Sequence, residues 1–273
     1  MLDRRKILKV FAAGFIYRGF RLPQIEEPQF AGLDRIEFYV SNVEKSRDFY
    51  VQLFGKPLKN RNGKRYVKLG SSYMAFEVPR GPGGQIRIDH FSVSIKNLEM
   101  PKLHSYLEQH GIMYQDYPSG RDTAVLDAEG IRTQLSPEDG WRFINTPNFP
   151  DEQISIPNEP LFQPVALEHV LVNVTDPDKS VSFYRRFLGS PSEQNKDEVW
   201  FQAGKARIGF QRTPENEKAG VHHFCISSAR FDYNTAVQRL RQLDAAPERL
   251  QAGTGVQFRD PDGFRIQVVA QEK

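Results

Sequence analysis

Hydrophobic and polar positions alternate with two different periods along this chain, and the places where the period changes mark its elements. Between Leu33 and Val40, Ile36, Phe38 and Val40 alternate with Arg35, Glu37 and Tyr39, the period of a half-buried strand. From Val43 to Leu53 the spacing shifts to three and four, which puts Val43, Ser46, Phe49, Tyr50 and Leu53 on one helical face. Gly55 then stops that helix. Tyr66 to Leu69 and Ser72 to Val78 read as strands around a turn at Gly70-Ser71, and a Pro/Gly loop at 79–84 resets the pattern. Ile86 to Ile95 is again a strand. Pro101 to His110 is a helix that opens on proline and is stopped by Gly111, and Val125–Asp127 with Arg132–Leu135 make a hairpin. A helix is predicted again over Phe231 to Leu243. The order is strand, helix and three strands, given twice in each half.

The halves are copies. Asp34–Gly55 aligns without a gap to Glu168–Gly189, sharing Val40/Val174, Lys45-Ser46/Lys179-Ser180, Phe49-Tyr50/Phe183-Tyr184 and Gly55/Gly189. Downstream, the segment around His90 matches that around His223, and the run from Leu126 matches the run from Arg259. A register held over about a hundred residues means duplication of one domain.

Length agrees, since 273 residues hold two units of about 105 residues, each able to bury a core. The expected organisation is an N-terminal segment at 1–32, a first domain at 33–137, a proline-rich linker at 138–165 and a second domain at 166–273. Six prolines between 136 and 164 keep that linker extended, and Trp141 and Phe143 suggest it is partly packed. No apolar run reaches the roughly 20 residues of a transmembrane span. A net charge of +3 with interspersed acids argues against nucleic acid as a partner. The single Cys225 excludes an internal disulfide and a multi-cysteine zinc site. At the start, Arg4-Arg5 followed by Leu8-Lys9 and the apolar run Val10–Ile16 is similar to a twin-arginine signal, which implies a periplasmic or secreted protein. The alternative is a basic amphipathic helix on a cytoplasmic protein.

The strand Leu-Glu-His-Val-Leu-Val-Asn-Val at 167–174, close to the form Leu-x-His-Val-x-Leu-x-Val, the helix motif Lys-Ser-x-x-Phe-Tyr and the hairpin Asp-Pro-Asp-Gly-x-x-Ile at 260–266 resemble the vicinal oxygen chelate superfamily. That group includes glyoxalase I, type I extradiol dioxygenases and the fosfomycin and bleomycin resistance proteins. The resemblance spans about 33–137 and 166–270. It implies an α+β fold of two tandem domains, each a pair of βαβββ modules forming a curved mixed sheet, or bowl. It also implies a divalent metal, one of Fe, Zn, Mn or Ni, on inward side chains.

Carried onto this chain, the resemblance offers His169, Gln211, His223 and Gln267 in the second copy, and Arg35, Glu77, His90 and Gln134 in the first. Alternation places His169, Leu171 and Asn173 on one face, with Val170, Val172 and Val174 on the other. Two neutral imidazoles from different strands suit a divalent metal, so the set His169, His223 and Gln267 is expected to hold one metal in the second copy. Arg35 cannot donate a lone pair, which argues against a metal in the first. Its polar face, with Arg35, Glu37 and Tyr39 opposite His90 and Gln134, is either a buried ion-pair network or a second ligand pocket. His222 is expected to point away from His223, and Cys225 to face the cavity as a packing residue. The sequence departs from the family at Gln267, where a carboxylate is usual. It departs also from the ring-cleaving signature, which has a His before the last hairpin and a Tyr three residues before its Asp; here stand Gly253 and Gln257.

The function expected is binding of a small oxygenated molecule in the C-terminal bowl, either in a glyoxalase-like or dioxygenase-like metalloenzyme or in a metal-free sequestering protein. The catalytic residues themselves are not assigned. A second copy of the chain, as a homodimer, is an open option for a partner.

Overall fold

In the computed structural model, β1 (Phe30–Tyr39) passes through Asn42 into α1 (Val43–Phe54), followed by β2 (Arg65–Leu69), β3 (Ser72–Glu77) and β4 (Arg87–Ile95). Then come α2 (Met100–Gln109), β5 (Tyr114–Asp116), β6 (Thr123–Leu126), β7 (Arg132–Pro137) and the short α3 (Gly140–Ile144). The second copy consists of β8 (Pro164–Val174), α4 (Pro177–Leu188), β9 (Glu193–Gln194), β10 (Glu198–Ala203), β11 (Ala206–Arg212) and β12 (Gly220–Ser228). It ends with α5 (Tyr233–Gln242), β13 (Glu248–Arg249), β14 (Gly255–Arg259) and β15 (Arg265–Ala270). The structure describes residues 26–60, 63–81, 83–147, 150–250 and 254–271. The twin-arginine segment up to residue 25 therefore lies outside the described residues, as does Gly253.

Local chemistry sets the helix ends. Asn42 accepts from the Lys45 N–H at 2.8 Å and Asp232 from the Thr235 N–H at 2.8 Å, each capping an otherwise unpaired donor. Gly55 closes α1 in the left-handed region at φ 80°. The predicted face of α1 is buried, and Arg47, Val51 and Phe54 join it.

In the first copy the strands order as β2-β3-β1-β4-β7-β6-β5, and in the second as β9-β10-β11-β8-β12-β15-β14-β13. Two modules therefore meet in each copy through one antiparallel pair, β1 with β4 and β8 with β12. The first βαβββ module has its second strand reduced to one bridge, Pro57 with Val67, where proline has no N–H to extend a ladder. A single pair, Leu33 with Leu167, joins the halves into one 15-stranded, unclosed mixed sheet.

The copies do not keep separate cores, as length had suggested; one buried cluster runs from Leu33 to Val268. Phe38 meets Phe224 at 5.7 Å and Phe49 meets Phe258 at 6.3 Å, each pair spanning the two halves. The repeated motifs explain the join. Tyr50 Oη donates to Asp260 Oδ2 at 3.0 Å, and Ser180 Oγ donates to Asp127 Oδ2 at 2.9 Å, so each copy's Lys-Ser-x-x-Phe-Tyr helix latches onto the other copy's last turn. The same aspartates organise those turns, Asp260 Oδ1 accepting from Asp262 and Phe264 N–H and Asp127 Oδ1 from Glu129 and Ile131 N–H. Gly70 and Gly204 make the matching contact at the strand starts. A Cβ at Gly70 would lie 1.8 Å from Val165 O, and one at Gly204 would lie 2.3 Å from the Ala31 carbonyl carbon, so only glycine fits.

The segment between the copies is packed rather than simply extended. Phe162 is 1% exposed and stacks between Phe54 at 5.8 Å and Phe231 at 6.1 Å. Among the described residues no helix is long and apolar enough to cross a membrane.

Candidate functional site

Two bowls result, and pairing between strands decides what faces into them. In the second, Val170, Val172, Phe224, Ile226, Ile266 and Val268 go to the core. Alternation then turns His169, Asn173, His223, Cys225 and Gln267 to the concave face. Cys225 lies in register with both His169 and Gln267 across β8, β12 and β15.

His169 Nε2 and His223 Nε2 are 3.1 Å apart. Two nitrogens bonded to one metal at about 2.1 Å and near a right angle stand about 3 Å apart, so the pair fits two neighbouring positions of a single coordination sphere. A carboxylate oxygen of Glu168 contacts His169 Nδ1. Burial raises the Glu168 carboxyl, but His169 and Arg207 outweigh it and hold the group below its ordinary range. An ionised Glu168 keeps the His169 proton on Nδ1 and leaves the Nε2 lone pair free, the usual support of a ligating histidine. His223 is pushed down to about 2 by burial and by the neighbouring His169, His222 and Arg265, so it stays neutral. Gln267 Nε2 donates to Gln257 Oε1 at 3.2 Å, which leaves its own amide oxygen as the lone-pair atom. Gln211 Nε2 donates to Asn173 Oδ1 at 2.8 Å, and Asn173 Nδ2 to Glu217 Oε2 at 2.8 Å.

Glu168, His169 and Cys225 bring three ligand-type atoms within 4.8 Å of one another. Burial pushes the Cys225 thiol well above its normal value, with the Glu168 charge adding to it, so the sulfur is held protonated. Trp200 closes one side, its ring edge-on to His169 at 5.3 Å and so close over Gly209 that a Cβ there would come within 2.6 Å of it.

His222 does not point away from its neighbour. Its Nδ1 is 2.7 Å from His223 Nδ1, while Arg265 contacts its Nε2 and bonds Glu217 at 2.7 Å. The cause is a bulge: Val221 pairs with Val172 and His223 with Leu171, so His222 is inserted between them and strict alternation fails. A second bulge inserts Glu168 beside His169. The first copy repeats both, with Asp34 beside Arg35 and Asp89 beside His90. Sequence alternation misses these inserted residues. The available signal was an acid, Asp34 or Glu168, at the same place in both copies, where it puts two polar residues in succession and breaks the alternation.

In the first bowl Arg35 stands where His169 stands in the second. Its Nη2 donates to His90 Nε2 at 3.2 Å and contacts Gln134 Oε1, two acceptors 3.1 Å apart. The lone pairs that would hold a metal are thus spent on a covalently supplied cation. Nη1 donates to Tyr73 Oη at 3.1 Å, and Nε lies 3.3 Å from Glu37 Oε2. Glu37 also contacts Lys64, which reaches Glu77 at 3.1 Å, which in turn binds Arg80 at 2.7 Å. Burial alone would raise Glu37, but Arg35, His90 and Lys64 hold it down to about 2. The ion-pair network expected from sequence is present, and it lines a cavity of about 500 Å³.

Residues 169–269 match the family model of a glyoxalase-like domain. The structure is similar to that of a catechol 2,3-dioxygenase, with TM-score 0.67 and 14% identity, covering 90% of this chain and 89% of that one. It is similar also to a Mn(II)-bound glyoxalase from Novosphingobium aromaticivorans, with TM-score 0.66 and 15% identity over 90% of this chain and 84% of that one. For a homoprotocatechuate 2,3-dioxygenase from Brevibacterium fuscum the values are 0.65 and 16%, over 92% and 74%. At these identities the likeness is one of fold.

Proposed function

We propose, for a chain that has the fold of the vicinal oxygen chelate superfamily and carries a glyoxalase-like domain over residues 169–269, that the second bowl is a divalent-metal centre which binds and converts a small molecule with adjacent oxygen atoms. The 3.1 Å approach of His169 Nε2 to His223 Nε2 carries this reading. The metal, when bound, supplies Lewis-acid stabilisation of negative charge on the substrate oxygens.

The chain supplies everything else. His169 and His223 offer Nε2, and Gln267 offers an amide oxygen as the third ligand. Glu168 holds the His169 proton on Nδ1, and burial keeps His223 in its neutral form. Trp200 walls off water beside His169. Asn173 and Gln211, already paired with each other, are placed to orient polar groups of the substrate.

Metal-free sequestration is the rival reading, and the last strand favours it. Gln267 is neutral there, and the Arg265 cation stands two residues away beside His222. Reconstitution with Mn, Fe(II), Zn or Ni, followed by gel filtration and elemental analysis, separates the two. One equivalent per chain, lost in both His169→Ala and His223→Ala, is the expected result. Stoichiometric metal in the His169→Ala protein, or none in the parent, overturns the proposal.

A further inference from the structure

The first bowl is built differently from the second, and the difference selects a ligand. Its cavity of about 500 Å³ is of the size that takes a small organic molecule. Five cations line it: Arg35 on the floor, Lys64 and Arg80 on one side, Arg121 and Arg132 on the other. Among the described residues three carboxylates, Glu37, Glu77 and Asp122, line it with them, and Asp89, behind the lining, pairs with Arg132 at 3.2 Å. Along the chain of contacts Arg35, Glu37, Lys64, Glu77 and Arg80, each carboxylate is shared between two cations, which leaves positive charge in excess. His90 lies among them, its imidazole held below its ordinary value by burial. In the second bowl each cation has its carboxylate, Arg207 meeting both Glu168 and Glu193 and Arg265 meeting Glu217.

The walls are aromatic. Tyr66, Tyr73, Tyr117 and Phe143 all line the cavity, and Arg121 lies 3.8 Å over the Phe143 ring. Tyr66 takes the strand position that Trp200 takes in the second copy, as the pairings Tyr66 with Ala75 and Trp200 with Gly209 show. There Tyr66 packs with Tyr73, Ile144 and Trp141 beside the cavity. Flat apolar walls around surplus guanidinium groups suit a flat ring bearing a negative charge, for the rings stack on its faces and the cations meet its carboxylate.

We infer that the first bowl is a second, metal-independent binding site, for a small aromatic carboxylate. It differs in place and in chemistry from the metal centre proposed for the second bowl, and stands or falls separately.

Titration calorimetry with benzoate tests it, with benzamide as the neutral isostere and metal stripped from the protein throughout. Benzoate is expected to bind one per chain with a dissociation constant on the order of 1 mM or tighter, and benzamide at least about tenfold more weakly. The exposed change Arg121→Glu reverses a rim charge without touching the core and is expected to weaken benzoate about fivefold or more. Arg35→Gln, checked for folding by circular dichroism, is expected to abolish binding, and His169→Ala to leave it unchanged. Absence of saturable benzoate binding, equal binding of benzamide, or indifference to Arg121→Glu overturns the proposal. So does loss of binding in His169→Ala, which would place the anion in the second bowl.

Discussion

Asp34 offers the sharpest test of the reasoning about buried charge. It is the bulged residue beside Arg35, 3% exposed, with Ser136 Oγ at 3.4 Å and Gly140 so close that a Cβ there would lie 2.8 Å from its Oδ2. Burial pushes its carboxyl up to about 7, even though Arg35, the Gly140 N–H and Ser136 all pull it down. An unfolded aspartate titrates near 3.9. Because the folded value is the higher one, the stability Asp34 contributes is complete below about pH 4 and is lost progressively up to about pH 7. About three pH units at 1.36 kcal/mol each set a ceiling of about 4 kcal/mol above pH 7. Arg35 is already included in that shift. Asn at this place keeps an oxygen for Gly140 and abolishes the titration, so Asp34→Asn is expected to stabilise the protein by about 1–3 kcal/mol at pH 8. The gain at pH 5 should be smaller by about 2 kcal/mol, since only the first third of the penalty has accumulated there. In thermal unfolding each kcal/mol corresponds to about 2–4 °C for a chain of this size. Urea titrations of parent and variant at the two pH values measure the effect. A variant that is less stable at pH 8, or a gain equal at both pH values, refutes the argument.

Three further outcomes are expected. Gln267→Glu should tighten metal binding about tenfold or more in competition with a chelator, because a full negative charge replaces an amide dipole beside the dication; unchanged or weaker affinity would place that residue outside the coordination sphere. Tyr50→Phe removes the hydroxyl that bonds Asp260, whose carboxyl burial raises to about 6, so it should cost about 1–3 kcal/mol at pH 8 and less at pH 5, where the carboxyl is neutral and the bond weaker; equal losses measured in urea at both pH values would contradict the latch. Replacing Arg4 and Arg5 by Lys in a fusion of residues 1–32 to a reporter should hold the reporter in the cytoplasm, and undiminished export would dismiss the signal.

Much of the fold was readable along the chain because its causes are local or repeated. The face of α1 and its Gly55 stop depend on neighbours a few residues away, and the structure has them where the spacing and the glycine put them. Duplication made the rest legible: Ser180, Tyr50, Asp127 and Asp260 recur because each copy must latch the other, a structural need identical in both halves. The chemistry lies where the copies differ, at Arg35 against His169, Glu77 against Gln211 and Tyr66 against Trp200. Alternation along β8 and β12 was enough to turn His169 and His223 to one face.

Tertiary pairing decided what alternation could not. A bulge is a property of two strands and not of one, since it arises when far-separated segments settle into unequal register. That is why Glu168 joins His169, why Asp34 is buried beside Arg35, and why His222 lies against His223 instead of opposite it. The shared core and the cavity in the first bowl have the same origin. Both depend on how one copy's side chains fill space beside another's, and no spacing within a single segment carries that information.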